Sequence, residues 1–251
     1  MDLKLNKRVY LVTAASRGLG FGVAEALVRE GANVVICGRT EESLKKAAAK
    51  LGKQAKHLMA DVSKERDIDS LVEFVDENFK KLDGLFVNAG GPPPGKFSDI
   101  SDSDWEKAFH LTLMSAVWLT RKSLPLLEKS DAPSVLYSTS ISVKQPIDNL
   151  LLSNALRPGV IGLMRSISPE LGPKGVRINA ICPGYIYTAR VEELMSSNES
   201  AKDAIESRIP LGRMGTPSEF GTTCAFLLSP VASYIHGALL LIDGGLYQGM
   251  M

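Results

Sequence analysis

Short apolar runs alternate with longer helix-patterned stretches along the whole chain, and that alternation restricts the fold to helices packed on a parallel sheet. Strands are expected at Val9–Val12, 33–37, 57–60, Gly84–Val87, 134–137, 176–181 and Leu239–Ile242. Between them the spacing predicts helices over 22–30, Glu41–Leu51, 68–79, 104–128 and 155–171, with a last one starting at Pro217. Gly31 and Gly52 follow the first two helices as stop signals. Thr40 is expected to cap the second helix, and Ser103 with Glu106 to form a capping box on the fourth. Thr216-Pro217-Ser218-Glu219 combines an N-cap, a proline at N1 and a glutamate at N3. Pro158 is tolerated only in a first helical turn, which puts the start of helix 155–171 near Asn154 or Ala155. An earlier start would kink that helix and displace Arg157. Near-continuous apolar strands between helices are buried on both faces. Right-handed crossovers then give an α/β doubly wound parallel sheet with its ligand at the carboxyl ends of the strands.

The bulk properties fit a single domain, residues 1–251. Hydrophobic residues make up 45% of the chain, enough for one large core, and there is no domain-separating linker or internal repeat. A formal net charge of +1 provides no field for nucleic acid or a membrane surface. No apolar run reaches the length of roughly 18 residues that a membrane span needs. Cys37, Cys182 and Cys224 lack metal or redox spacing, and His57, His110 and His236 are scattered, so no metal site is expected. Odd cysteine usage and a charged start, from Met1 to Arg8, suit a reducing cytoplasm. The stiff loop of 90–95 follows a strand on the ligand edge, and 190–208 reads as a loose helical lid on the same edge.

The first strand, turn and helix carry the most readable chemistry. The turn is Thr13-Ala14-Ala15-Ser16-Arg17-Gly18-Leu19-Gly20. Gly18 and Gly20 sit where a backbone must approach a pyrophosphate without Cβ atoms in the way. The helix behind them offers unpaired N–H groups and the positive end of its dipole.

Over essentially its whole length the chain resembles the short-chain dehydrogenase/reductase family. The resemblance rests on the turn from Thr13 to Gly20, in which Ala14 replaces a family glycine, and on Asp61-Val62 after the third strand. It rests equally on Asn88-Ala89-Gly90 after the fourth strand, on Pro183-Gly184 with the trailing Thr188, and on Leu239 to Gly245. It is strongest toward reductases of ketoacyl-carrier-protein type and glucose dehydrogenase-related proteins. It implies a Rossmann-type sheet, a nicotinamide cofactor, a small carbonyl or alcohol substrate, and a homodimer or homotetramer built on the helix around Met114 and Trp118. Thr13, Ser16, Arg17, Gly18, Leu19, Gly20, Asp61, Val62, Asn88, Ala89, Gly90, Pro183, Gly184 and Thr188 then become cofactor-binding candidates. An NAD enzyme places a carboxylate after the second strand, whereas this chain has Arg39, with Arg17 as a second cation nearby. A guanidinium fork suits a ribose 2′-phosphate, so NADP(H) is the expected cofactor, with NAD(H) as the alternative.

The reacting end departs from the family. Its catalytic group is a serine, a tyrosine, a lysine four residues later and an asparagine. Ser140 aligns with the serine, but Ser153 falls on the tyrosine, Arg157 on the lysine and Thr112 on the asparagine, between the landmarks Trp105, Phe109 and Gly162-Leu163. An aliphatic hydroxyl is a far weaker acid than a phenol with its pKa near 10. Arg157 can contact the nicotinamide ribose but cannot usefully release a proton. Lys144 is the first candidate for a substitute acid, and Tyr185 and Tyr187 come second. An oxidoreductase is expected. A non-catalytic nucleotide-binding protein and a lyase or isomerase without net redox are the alternatives.

Overall fold

All seven strands run parallel, in the order β3-β2-β1-β4-β5-β6-β7. They are β1 Val9–Val12, β2 Asn33–Gly38, β3 Ala55–Met59, β4 Gly84–Val87, β5 Ser134–Ser138, β6 Arg177–Pro183 and β7 Leu239–Ile242. The computed structural model describes residues 1–188, 191–192 and 199–250. The order reverses between β1 and β4, and this opens a crevice at their carboxyl ends. The helices are α1 Gly18–Arg29, α2 Glu41–Leu51, α3 Glu65–Phe79, α4 Asp102–Phe109, α5 Ser115–Leu127, α6 Leu151–Leu171, α7 Glu199–Glu206 and α8 Pro217–Leu228. Two hydrophobic cores flank the sheet. One is built on Leu11, Leu85 and Val135, the other on Tyr10, Val12 and Leu136. Neighbouring residues of one strand thus serve opposite faces, as a period of two requires. No helix among the described residues is long and apolar enough to cross a membrane.

Several elements depart from the sequence pattern, each for a local reason. α1 begins at Gly18 rather than at 22, because the glycine turn itself forms the first helical turn. β3 starts two residues early, at Ala55, held by its pairing with β2. The capping box of α4 is Ser101 with Asp104, not Ser103 with Glu106: Ser101 Oγ accepts from Asp104 N at 3.3 Å and Asp104 accepts from Ser101 N at 3.2 Å. Both serines precede an acid three residues on, so the pattern alone does not choose between them. The expected continuous helix over 104–128 is interrupted by a π segment, His110–Met114. Thr40 occupies the N-cap of α2, but its side chain makes no capping bond.

The start of α6 is the largest correction. The helix begins at Leu151, so Pro158 lies well inside it. Proline in a helix interior costs ~3 kcal/mol. Burial of Leu152 and Val160 offsets that cost. Asn154 secures the first turn, accepting from Ile147 N at 3.1 Å and donating to Ile147 O at 2.9 Å. The predicted lid falls partly outside the described residues, which resume at α7.

Candidate functional site

Every segment lining the main cleft leaves the carboxyl end of a strand or sits just above one. The cleft measures about 450 Å³, within the range of small-ligand sites. Its floor is tied across the strand reversal by Thr13. The Thr13 hydroxyl donates to Asn88 O at 2.6 Å and accepts from Asn88 N at 2.8 Å. The Asn88 amide in turn donates to Thr13 O and Ala14 O. Ala14 holds φ +48°, the left-handed region where the family carries glycine. An L-residue pays roughly 1–2 kcal/mol for that conformation. Gly20 must remain glycine, because a Cβ there would lie 2.5 Å from Ala14 O.

Of the cofactor-binding candidates, Ser16, Arg17, Gly18, Leu19, Arg39, Asp61, Val62, Asn88, Ala89, Gly90, Gly184 and Thr188 line the cleft. Thr13, Gly20, Pro183 and Arg157 do not. The first three support the floor, and Arg157 lies deeper. Gly38, Ala60, Leu111 and Ile186 also line the cleft and were not foreseen, while Gly91 and Val191 fall in the loop and the lid segment expected on this edge. Gly38, Ala60 and Gly91 adjoin predicted residues. Leu111 reaches the cleft from the π segment, which no periodicity announces.

Arg17 and Arg39 are exposed. Among the described residues neither is in an ion pair with an acid. Asp61 accepts from Ser63 N at 3.0 Å and from Ser63 Oγ at 2.8 Å. The rim therefore presents two free guanidinium groups on one side and a carboxylate already engaged on the other. A dinucleotide with a phosphorylated ribose fits this donor set. Were such a dinucleotide bound, the open glycine turn would face the pyrophosphate, and the two cations would face the extra phosphate.

The reacting end is arranged around the turn after β5. Ser140 is half-buried with extended backbone, and its Oγ accepts from Ser142 N at 3.1 Å. Beneath it Thr139 is buried, and its hydroxyl meets Cys182 Sγ at 2.9 Å. Burial pushes the Cys182 thiol up to about 11, against that hydrogen bond and the charges of Arg157 and Lys144. Arg157 is pinned: Nη1 donates to Thr139 O at 2.7 Å and to Ser138 O at 3.4 Å, and its fully enclosed Nε has no partner. Desolvation pulls the Arg157 guanidinium down to about 10. Arg157 and Thr112 share a second cavity of about 20 Å³, which meets the cleft at Ala89 and Gly90. Two of the four aligned positions are thus brought together.

The others lie apart. Ser153 is buried and lines neither cavity. Lys144 is exposed, with Nζ 5.9 Å from the centre of the Tyr247 ring, and it too lines neither cavity. Tyr185 lines the cleft, whereas Tyr187 is 38% exposed and hydrogen-bonds Glu192.

With this geometry in view, the likenesses to known proteins are consistent with one another. A family profile described as enoyl-(acyl carrier protein) reductase matches residues 13–247. The 3-oxoacyl-[acyl-carrier-protein] reductase of Aquifex aeolicus is 31% identical over 251 residues, covering 98% of this chain and 100% of its own. L-Sorbose reductase of Gluconobacter frateurii, solved with NADPH and L-sorbose, superposes with a TM-score of 0.94 at 26% identity over the full length of both chains. A short-chain oxidoreductase of Pseudomonas aeruginosa PAO1, described as containing an atypical catalytic centre, superposes with a TM-score of 0.91 at 28% identity. That match covers 96% of this chain and 98% of the other. By its sheet order, its glycine turn and these matches, the chain belongs to the short-chain dehydrogenase/reductase family.

Proposed function

We propose that the protein is an NADP(H)-dependent oxidoreductase interconverting a small carbonyl compound and its alcohol. One observation carries this reading: a cleft of about 450 Å³ at the strand reversal, with a glycine turn on its floor and, on its rim, two arginines that pair with no acid among the described residues. The NADPH complex of the sorbose reductase supports the same assignment. When bound, the reduced nicotinamide supplies the hydride for the carbonyl carbon, and the carbonyl oxygen takes a proton. Ser140 Oγ donates a hydrogen bond to that oxygen. Arg157 holds the Ser138–Thr139 backbone in place and adds positive charge beneath it. Ser153 stands where the family donates a proton and is a poor source of one. Lys144, exposed in the turn that follows Ser140, is the group assigned to deliver the proton through solvent. Without a positioned acid the chemical step is slower, by about 10²–10⁴. Self-association is part of the proposal: β7 is an edge strand with Leu240 38% exposed, and α5 and α6 share an apolar groove at Leu124, Leu163 and Ile167.

The test is calorimetric titration with NADPH and NADH, followed by a carbonyl panel read as loss of the reduced-nicotinamide absorbance. Tighter NADPH binding and slow turnover are expected. The pinned Arg157 and the buried Ser153 favour a second reading, a nucleotide-binding protein without catalysis. NADPH binding with no turnover across the panel would select it.

A further inference from the structure

Arg157 carries a positive charge into the interior, and among the described residues no acid meets it. Of its guanidinium nitrogens only Nη1 makes hydrogen bonds there, and both go to backbone carbonyls. Nε is fully enclosed and has no partner. Desolvation pulls the guanidinium down to about 10, so it stays charged at neutral pH. The other ionisable group that acts on it is the Cys182 thiol, which burial holds up at about 11 and therefore uncharged. A charge taken out of water without a partner is costly, and an opposite charge beside it offsets that cost.

The cavity of about 20 Å³ that Arg157 lines has the chemistry of an anion site. No carboxylate lines it. Val87, Ala116 and Val160 form apolar walls, which keep the local dielectric low and strengthen charge pairing inside. Two of the lining hydroxyls are engaged: Tyr137 with Thr120 at 2.7 Å, and Ser115 with Leu111 O at 2.6 Å. The Thr112 and Ser138 hydroxyls also line the cavity, and they make no hydrogen bond among the described residues. Donors are therefore in surplus beside the cation. Roughly 10–15 Å³ is enough for one water, so the cavity admits a single body of about that size and excludes sulfate or phosphate. It meets the main cleft at Ala89 and Gly90, which provides a way in. Water fits the volume but brings no negative charge.

We propose that this cavity binds one monatomic anion of halide size, held by the Arg157 guanidinium and the Thr112 and Ser138 hydroxyls. The site is distinct from the cofactor cleft, and the proposal stands whichever substrate that cleft takes. An anion there offsets the guanidinium charge without breaking its bond to Thr139 O. It thereby sets how much positive charge reaches the turn that carries Ser140.

The probe is chloride, read by thermal unfolding of the full chain without cofactor. Sodium chloride replaces sodium gluconate, whose anion is too large for the cavity, at constant ionic strength. A ligand that binds only the folded state raises Tm with its concentration. The expected result is a saturable rise in wild type. Thr112→Val keeps the side-chain shape and removes one hydroxyl, so half-saturation should move to roughly twofold to tenfold more chloride. Arg157→Met removes the cation at similar volume and should abolish the rise. Crystals grown in sodium bromide locate the ion, with an anomalous peak expected between Arg157 and Thr112. No chloride-specific rise in wild type, an unchanged response in either variant, or a cavity without anomalous signal would overturn the proposal.

Discussion

Arg39 stands where a carboxylate would accept the ribose 2′-hydroxyl of NAD, and it cannot accept a hydrogen bond. Its guanidinium and that of Arg17 line the same cleft, and among the described residues neither is in an ion pair with an acid. A charge-assisted hydrogen bond contributes about 1.5–3 kcal/mol. Arg39→Ala should therefore weaken NADPH roughly 10- to 150-fold by calorimetry, while NADH affinity stays within about twofold. Ser140 raises a question of chemistry rather than of cofactor grip. Ser140→Ala should lower kcat roughly 10²- to 10³-fold with NADPH affinity unchanged, as expected for a donor aimed at the carbonyl oxygen. A parallel loss of NADPH binding would show that the serine acts only on the fold of its turn. The aligned positions were legible in the sequence because they fall in fixed register with Trp105 and Gly162-Leu163. What the sequence could not reveal is where each side chain points. Arg157 donates to the Thr139 carbonyl rather than lining the cleft, a consequence of packing between α6 and the end of β5.

At the scale of elements, α8 shows how a helix is held at both ends. Its start is the Thr216–Glu219 capping box, and Glu219 also binds Arg213 through 2.6 and 3.0 Å contacts. The Arg213 hydrogen bond, with those of Thr216, holds the Glu219 carboxyl down at about 2, from the usual 4.5. A depressed carboxylate stabilises the fold above its unfolded pKa, and that stability is lost as pH falls through the folded value. Glu219→Gln should thus lower Tm at neutral pH, and the gap from wild type should close between pH 4.5 and about 2. Because both partners are exposed, the gap should also shrink with salt. A gap that persists at pH 2 would contradict the assignment. At the other end, buried Arg177 donates to the carbonyls of Leu227, Leu228 and Ser229. There it satisfies orphan acceptors and opposes the helix dipole. Arg177→Met should cost ~1–3 kcal/mol in denaturant unfolding. α8 also crosses α1 at the backbone: a Cβ at Gly221 would collide with Gly22 O. Gly221→Ala should therefore destabilise by ~1–3 kcal/mol, as overpacking does. The start of α8 was legible to the residue because Thr216, Pro217 and Glu219 all mark one boundary. The π segment was not, since a five-residue turn leaves no signature in a 3.6-residue pattern. The start of α6 was missed because tertiary burial of Leu152 outweighs the proline penalty that governs an isolated helix.

At the scale of the molecule, the doubly wound parallel sheet could be reasoned from the sequence because apolar strands alternate with helices and crossovers have one hand, whereas the strand order comes from the structure. That order puts the turns after β1, β2, β3, β4 and β6 around one cleft. Residues distant in the chain thereby become neighbours: Thr13 with Asn88, and Gly18 with Thr188, whose Cγ2 would lie 3.7 Å from a Cβ at Gly18. The cofactor half of the site follows from this arrangement and from glycines and arginines visible in the chain. The loops after β5, β6 and β7 meet only in three dimensions, around Ile141, Ile209, Met214 and Leu246, so that grouping was not legible beforehand. The most direct measurement is a calorimetric titration of the intact chain with NADPH and with NADH. Saturable one-to-one uptake of NADPH is expected, at least about tenfold tighter than NADH, as one charge-assisted contact supplies. Equal affinity for the two would contradict the role given to Arg17 and Arg39, and uptake of neither would contradict the nucleotide cleft itself.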